Sequence, residues 1–406
     1  MNLLRIEEAW SKIAALAAPL PIDARPLEQA AGSVVAEAVA APVALPPFDN
    51  SAMDGYALRA ADTVGASAEQ PVVLPVIGEV AAGGWRQEGL ASGRAVQIMT
   101  GAALPPEADA VLMLEAGRLR NGAVEIRESV PAGKHVRRRG EDVQQHQVLV
   151  APGARLNAQR LGLLAACGIA QVRVHRQPTV SMLATGSELV AAGVPLAPGQ
   201  IYDSNRIVLR RLLGRAGCVV ADLGVAPDDA DAIAARIREG LAADVLLISG
   251  GVSVGSRDHV KPVLRELGVE TVFWGVDMKP GKPLFCGRRG TAWVFGLPGN
   301  PISCVVGFLV FVEPLIRRLQ GDVAALPGYV RAKLTHAVHK HDGRRWLMTA
   351  RLDTSLDGTR LVTPTVQQGS AMMRALSQAN AFLVVPEERT EVPSGELVDV
   401  LPIDGS

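Results

Sequence analysis

Ser249-Gly250-Gly251-Val252-Ser253-Val254-Gly255-Ser256-Arg257-Asp258-His259-Val260-Lys261 is the stretch whose reading decides the fold. Val245-Leu246-Leu247-Ile248 precedes it, an apolar run long enough for one buried strand of a parallel sheet. Val260, Val263, Leu264 and Leu267 follow at the spacing of one helix face. The sequence therefore predicts strand, glycine-rich turn, helix. In open parallel sheets, ligands sit at the carboxyl ends of the strands. Ser249, Gly250, Gly251, Ser253 and Gly255 bring backbone N–H groups and hydroxyls to that edge, which suits an anion. Asp258 either caps the helix or holds a cation. An ordinary βα turn with Asp258 as a plain cap fits the same residues.

The pattern repeats on both sides. Val180-Ser181-Met182-Leu183-Ala184 ends in Thr185-Gly186-Ser187-Glu188-Leu189, and Tyr202-Asp203-Ser204-Asn205 opens a helix carrying Ile207, Val208, Leu212 and Leu213. Pro227-Asp228-Asp229 caps a helix through Ile233, Ile237 and Leu241. Thr271 to Trp274 leads to Lys279-Pro280-Gly281-Lys282-Pro283, and Ala292 to Phe295 leads to Leu297-Pro298-Gly299-Asn300-Pro301. Strands alternating with helices are the signature of an α/β domain with a parallel-rich sheet.

The flanks read differently. Ile6, Trp10, Ile13 and Leu16 predict a first amphipathic helix, and Leu27 to Ala40 a second short one. Pro46-Pro47-Phe48-Asp49-Asn50-Ser51-Ala52-Met53-Asp54-Gly55 reads as a shaped polar loop. From Pro71 to Val143, short strands and Gly/Pro turns predict a small β module, which includes Met99-Thr100-Gly101-Ala102 and ends on Arg137-Arg138-Arg139-Gly140-Glu141-Asp142. The three arginines read as a surface ion network. Asn157 to Cys167 predicts a helix with Gly168 past its end. From Pro327 onward, five apolar runs with regular turns predict a small β barrel. His336, His339 and His341 read as a solvated strand rather than a metal cluster.

Composition limits the function classes. Formal net charge is zero, from 41 basic and 41 acidic residues, which argues against a general nucleic-acid or membrane-surface role. Cys167, Cys218, Cys286 and Cys304 lack metal-ligand spacing and read as free thiols of a reducing compartment. The first residues show no signal peptide, and Pro301 to Leu315 is too short and too interrupted to span a bilayer, so a soluble cytoplasmic protein is expected. No Ser–His or Cys–His pairing suggests covalent catalysis. Glu188, Asp203, Asp228, Asp258, Lys279 and Lys282 all fall at predicted strand ends or helix starts. Carboxylates suit a divalent cation and lysines suit oxyanions, so one sheet edge serving both is expected.

The ordered set of motifs quoted above resembles the molybdopterin molybdenumtransferases, the MoeA family, and is similar to the E domain of gephyrin. The resemblance runs from the first helix to the last strands. It implies a multidomain α/β plus β protein. A helical, extended dimerisation region (1–46 and 144–176) accompanies a β module (47–143), a central MogA-like α/β domain (177–325) and a C-terminal β barrel (326–406). It implies a homodimer that takes adenylylated molybdopterin and molybdate, uses Mg²⁺ or another divalent cation, and releases AMP. The molybdopterin adenylyltransferase would be a further partner. Glu188 and Asp258 would hold the metal. Asp54, Thr100 and Asp142 would complete the cleft from the other subunit, and Lys279 and Lys282 would meet oxyanions. Ser249, Gly250, Gly251, Ser253, Gly255, Asp203, Asp228, Pro298, Pro301, Ser370 and Arg344 would contact substrate. The family often has an acidic and aromatic pair and then arginine after Gly343-Arg344, where this chain reads Arg345-Trp346-Leu347-Met348-Thr349. Two alternatives stand beside this reading: a nucleotide pyrophosphatase on a similar α/β domain, which usually reads T-G-G-L-G-P-T where this chain has Ser249 to Val254, and a non-catalytic scaffold.

Overall fold

The structure is a computed structural model that describes residues 3–251, 259–322 and 325–403. Ser253, Gly255 and Asp258 lie outside the described residues. The chain divides into two compact units. One comprises Met1–Asp23, Gly32–Ala36 and Val174–Ser406, and the other Ala24–Ala31 and Glu37–Arg173.

The larger unit is built on a six-stranded sheet. Its order is Val219–Ala226, Thr179–Thr185, Val245–Ser249, Ala292–Leu297, Phe285–Arg289, Glu270–Trp274. The first four strands are parallel, Phe285–Arg289 runs antiparallel to them, and Glu270–Trp274 pairs antiparallel to it and so runs with the first four. Val245 to Ser249 is buried throughout, as an unbroken apolar run requires of a strand covered on both faces. The helix Asn205–Arg215 packs one face with the first helix, Ile6–Leu16, and with Pro301–Gly307. The helices Ala230–Gly240 and Val260–Glu266 pack the other. The chain thus leaves Thr179–Thr185 toward one side of the sheet and returns to Val245–Ser249 on the other. Between the ends of these two strands lies the switch point where doubly wound sheets hold ligands.

The run after Pro301 is a helix, a wider buried turn at Phe308–Val312, and a second helix, Glu313–Leu319. Pro314, which has no N–H to give the preceding turn, stands where the geometry changes. No helix among the described residues is long and apolar enough to cross a membrane.

The C-terminal strands close into a ring of five: Arg345–Thr354, Arg360–Pro364, Val330–Leu334, Leu397–Pro402 and Ala381–Val385, which pairs back to the first. Met278–Lys279 adds parallel to the barrel rim, with Lys279 opposite Trp346. That short pairing brings the lysine loop to the barrel.

In the smaller unit, a mixed sheet orders Ala110–Met113, Gly55–Leu58, Ala95–Ile98, Val72–Val80, Ala123–Ile126 and Gly117–Arg120, with an apolar cluster on each face. The helix Ala158–Ala166 is capped by Asn157, whose side chain accepts from the Arg160 N–H at 2.9 Å. The helix expected from Leu27 to Ala40 is absent. Only a single turn forms at Leu27–Gln29, and Val39–Ala40 pairs as a strand with Val148–Val150. Gly32 at φ +74° and the β-branched Val34 and Val35 break the stretch, so its many alanines never form a continuous face.

Candidate functional site

Three strand ends converge in the larger unit. Thr185, Ser249 and Leu297 close their strands, and the turns that follow line a cavity of about 590 Å³. Gly250 and Gly251 have positive φ of 93° and 64°. A Cβ on Gly250 would lie 2.6 Å from the Thr185 carbonyl oxygen, and one on Gly251 2.7 Å from Thr185 Oγ1. Only glycine lets this backbone pass so close to the neighbouring strand end. The Thr185 hydroxyl is buried and has no hydrogen-bond partner among the described residues.

Side chains stitch the turns together. Ser187 N donates to Asp228 at 3.2 Å, and Asp228 N donates to Ser187 Oγ at 3.0 Å. Asn205 Nδ2 donates to Ser249 Oγ at 2.9 Å and to the Gly299 carbonyl at 2.8 Å. The glycine turn, the first residue of a helix and the Pro298–Pro301 turn are therefore one frame. Glu188 and Asp228 both face the cavity, and no hydrogen bond or ion pair among the described residues engages the Glu188 carboxylate. Asp203 lines the cavity too but is buried and committed to Arg206, whose Nε lies 2.5 Å away. It orders the helix start instead of offering a free carboxylate. The helix cap beyond Asp228 is Asp229, which accepts from the Ala232 N–H at 2.9 Å.

Lys279 and Lys282 do not share this wall. They line a second cavity of about 630 Å³, together with Arg344, Ser303, Thr349, Gln368 and Ser370. The expectation of one edge for carboxylates and lysines is corrected to two adjoining cavities, because the strand pairing at Lys279 draws the loop onto the barrel rim. Pro283 and Asn300 line both cavities. Asn300 Nδ2 donates to Ser370 Oγ at 2.9 Å, and Ile302 N donates to the Ser370 carbonyl at 3.0 Å. Ser370 is thus held at the boundary. His336, His339 and His341 are exposed, as their reading as a solvated strand expects, and His339 and His341 also line the mouth of the second cavity beside Trp346. The two-residue spacing of the histidines was the available signal for a shared face.

In the smaller unit, Asp54 accepts from Thr100 N and Oγ1, both at 2.7 Å. These two bonds, backbone first, lower its pKa. Asp142 is exposed. Asp49 ties the polar loop to the arginine run: it accepts from Arg138 Nη1 at 2.7 Å and from Arg139 N at 2.8 Å. Burial would raise the Asp49 pKa, but these bonds outweigh it and leave it lowered. The expected surface ion network therefore exists at Arg138.

Among the described residues, no group of three or more His, Cys, Asp and Glu is placed to hold a metal ion. All four cysteines are free, and Cys218 is only partly buried. Burial pushes the Cys304 and Cys218 thiols up to about 12, which makes both poor nucleophiles.

A glycine-framed cavity at the switch point of a doubly wound sheet, beside a cation-lined cavity on a β barrel, defines a class of protein that handles phosphorylated and oxyanionic small molecules. The comparisons narrow this class. The family described as the MoeA N-terminal region, domains I and II, matches residues 4–168. A probable molybdopterin binding domain matches 181–318, and the MoeA C-terminal region, domain IV, matches 331–403. The chain is 40% identical over 406 residues to the molybdopterin molybdenumtransferase of Haemophilus influenzae, covering 99% of each chain. It is 39% identical to molybdopterin molybdenumtransferase 2 of Mycobacterium tuberculosis, covering 92% of this chain and 93% of that one. A crystal structure of the molybdopterin biosynthesis MoeA protein from Pyrococcus horikoshii superposes with a TM-score of 0.86 at 35% identity, covering 100% of both chains. The chain belongs to the MoeA family of molybdopterin molybdenumtransferases. A match running through both β regions disfavours the pyrophosphatase reading, which rests on the α/β domain alone.

Proposed function

We propose that this enzyme inserts molybdenum from molybdate into adenylylated molybdopterin and releases AMP. The observation that carries the reading is the adjacency of the two cavities across Asn300 and Ser370. One has the N–H-rich turns suited to a pyrophosphate, and the other has three cationic side chains suited to a dianion. Transfer between two bound substrates needs them held side by side, and positioning supplies much of such a rate.

Ser249, Gly250, Gly251, Ser253 and Gly255 bind the phosphates, with Pro298 and Pro301 shaping the wall. Lys279, Lys282, Arg344 and Ser370 bind molybdate. Glu188 and Asp258 hold Mg²⁺. The unengaged Glu188 carboxylate, with Asp228 on the same cavity, is the hard oxygen donor chemistry that such an ion requires. When bound, the ion offsets the charge of the pyrophosphate as AMP leaves. Asp203 acts through Arg206. The chain works as a cytoplasmic homodimer, and Asp54, Thr100 and Asp142 of one subunit complete the cleft of the other. The molybdopterin adenylyltransferase supplies the pterin nucleotide. The test is incubation with adenylylated molybdopterin, Mg²⁺ and increasing molybdate. AMP release should saturate with molybdate and stop when the metal is chelated. Release at the same rate without molybdate would overturn the reading.

A further inference from the structure

The cationic wall of the second cavity is held from behind by a carboxylate that does not line it. Asp342 Oδ2 accepts from Arg344 Nη2 at 2.7 Å and lies 3.5 Å from Lys279 Nζ. Its Oδ1 accepts from Trp346 Nε1 at 2.7 Å and from Arg344 N at 3.2 Å. Lys279 Nζ sits 4.0 Å over the Trp346 ring, so carboxylate and indole grip the same ammonium. The turn that carries these residues is anchored from beneath. Lys340 is buried, and its Nζ donates to the Arg344 carbonyl at 2.6 Å and to the Glu387 carbonyl at 3.0 Å. Burial works to raise the Asp342 pKa, but bonds from Trp346 and Arg344 outweigh it and hold the carboxyl well below the usual carboxylate range. It is therefore anionic throughout the neutral range.

We infer that Asp342 is a positioning residue for the oxyanion subsite: it fixes Lys279 and Arg344 on one wall and sets how tightly that wall holds a dianion. This inference rests on the reading of the second cavity as the molybdate subsite. Two free cationic side chains would each sample several rotamers, whereas one shared counter-ion aligns both before the substrate arrives. The same charge competes with the dianion, which weakens ground-state binding.

The experiment compares the parent with Asp342→Asn, Asp342→Glu and Trp346→Phe. It measures AMP release against molybdate concentration, with thermal melts on each protein. Asparagine keeps the shape and an oxygen for Trp346 and Arg344 N but removes the charge. The KM for molybdate should then fall several-fold while kcat falls about tenfold, since the wall becomes more positive and less ordered. Glutamate should restore the parental KM and only part of kcat. Trp346→Phe keeps a ring face beneath Lys279 and loses the N–H donor, so kcat should fall less than in Asp342→Asn. Parental kcat and KM in a folded Asp342→Asn protein would overturn the inference. So would a loss of kcat that follows the folded fraction with KM unchanged. A parent whose AMP release ignores molybdate would instead remove the underlying reading, and the two failures are distinguished by the parent alone.

Discussion

Lys279 and Lys282 sit in a loop whose Pro280 and Pro283 limit its conformations, so both ammonium groups are presented at low entropic cost. Their environments differ. Lys279 is tied to Asp342 and Trp346, while Lys282 is exposed and has no ion-pair partner among the described residues. A hydrogen bond to a charged group contributes about 1.5–3 kcal/mol, so Lys279→Gln or Lys282→Gln should raise the KM for molybdate roughly tenfold or more. Melting should stay near the parental value for Lys282→Gln, because among the described residues the Lys282 side chain is exposed and makes no ion pair. Unchanged molybdate dependence in both variants would make them ordinary surface lysines. These two residues were legible in the sequence because the prolines mark a shaped loop. Asp342, Trp346, His339 and His341 were not. Asp342, His341 and Trp346 meet within one stretch of chain, but the lysine they serve belongs to a distant loop, and only the register of Lys279 against Trp346 brings it to them. Asp203 was legible as a residue at a helix start, but its commitment to Arg206 needed the geometry.

The strand-turn-helix units were readable because their apolar runs, glycine turns and helix faces agree with one another. The stretch from Leu27 to Ala40 was misread because alanine is compatible with many environments, and the pairing of Val39–Ala40 is decided by a strand more than a hundred residues away. One element junction controls the sheet. Asp244 stands just before Val245–Ser249 and accepts from Arg176 Nη1 and Nη2, both at 2.6 Å, and from Thr179 N and Oγ1, both at 2.8 Å. It fastens the starts of the two central parallel strands. Burial opposes ionisation of Asp244, yet the bonds from Arg176 and Thr179 leave its pKa lowered. A depressed folded pKa gives stability that is present above the unfolded value, about 3.9 for aspartate, and lost as pH falls through the folded one. Asp244→Asn should cost about 2–4 kcal/mol at pH 7, because Arg176 loses its partner. The variant should also lose part of the parental decline in stability below about pH 4. Urea unfolding at pH 7 and pH 3.5 measures both. Equal stability of the two proteins at pH 7 would show that the junction is not fastened by charge.

At the scale of the whole molecule, the architecture explains why so small an ion as molybdate needs so long a chain. A doubly wound sheet supplies one cavity at its switch point, and the barrel supplies the second beside it. The account also predicts a dimer, because Asp54, Thr100 and Asp142 are assigned to the partner's cleft. Sedimentation at micromolar protein should show a mass twice that of the chain, and a monomer alone would reject the shared cleft. The function was legible as an ordered series of turns, while the division of labour between the two cavities was not, since it depends on how the Lys279 loop pairs with the barrel. The central claim is that AMP release and molybdenum insertion are one event. It is tested most directly by measuring, in the same reaction, AMP released and molybdenum retained on the pterin after free molybdate is removed. The account predicts equal amounts throughout the reaction. AMP formed with no molybdenum on the pterin would contradict it.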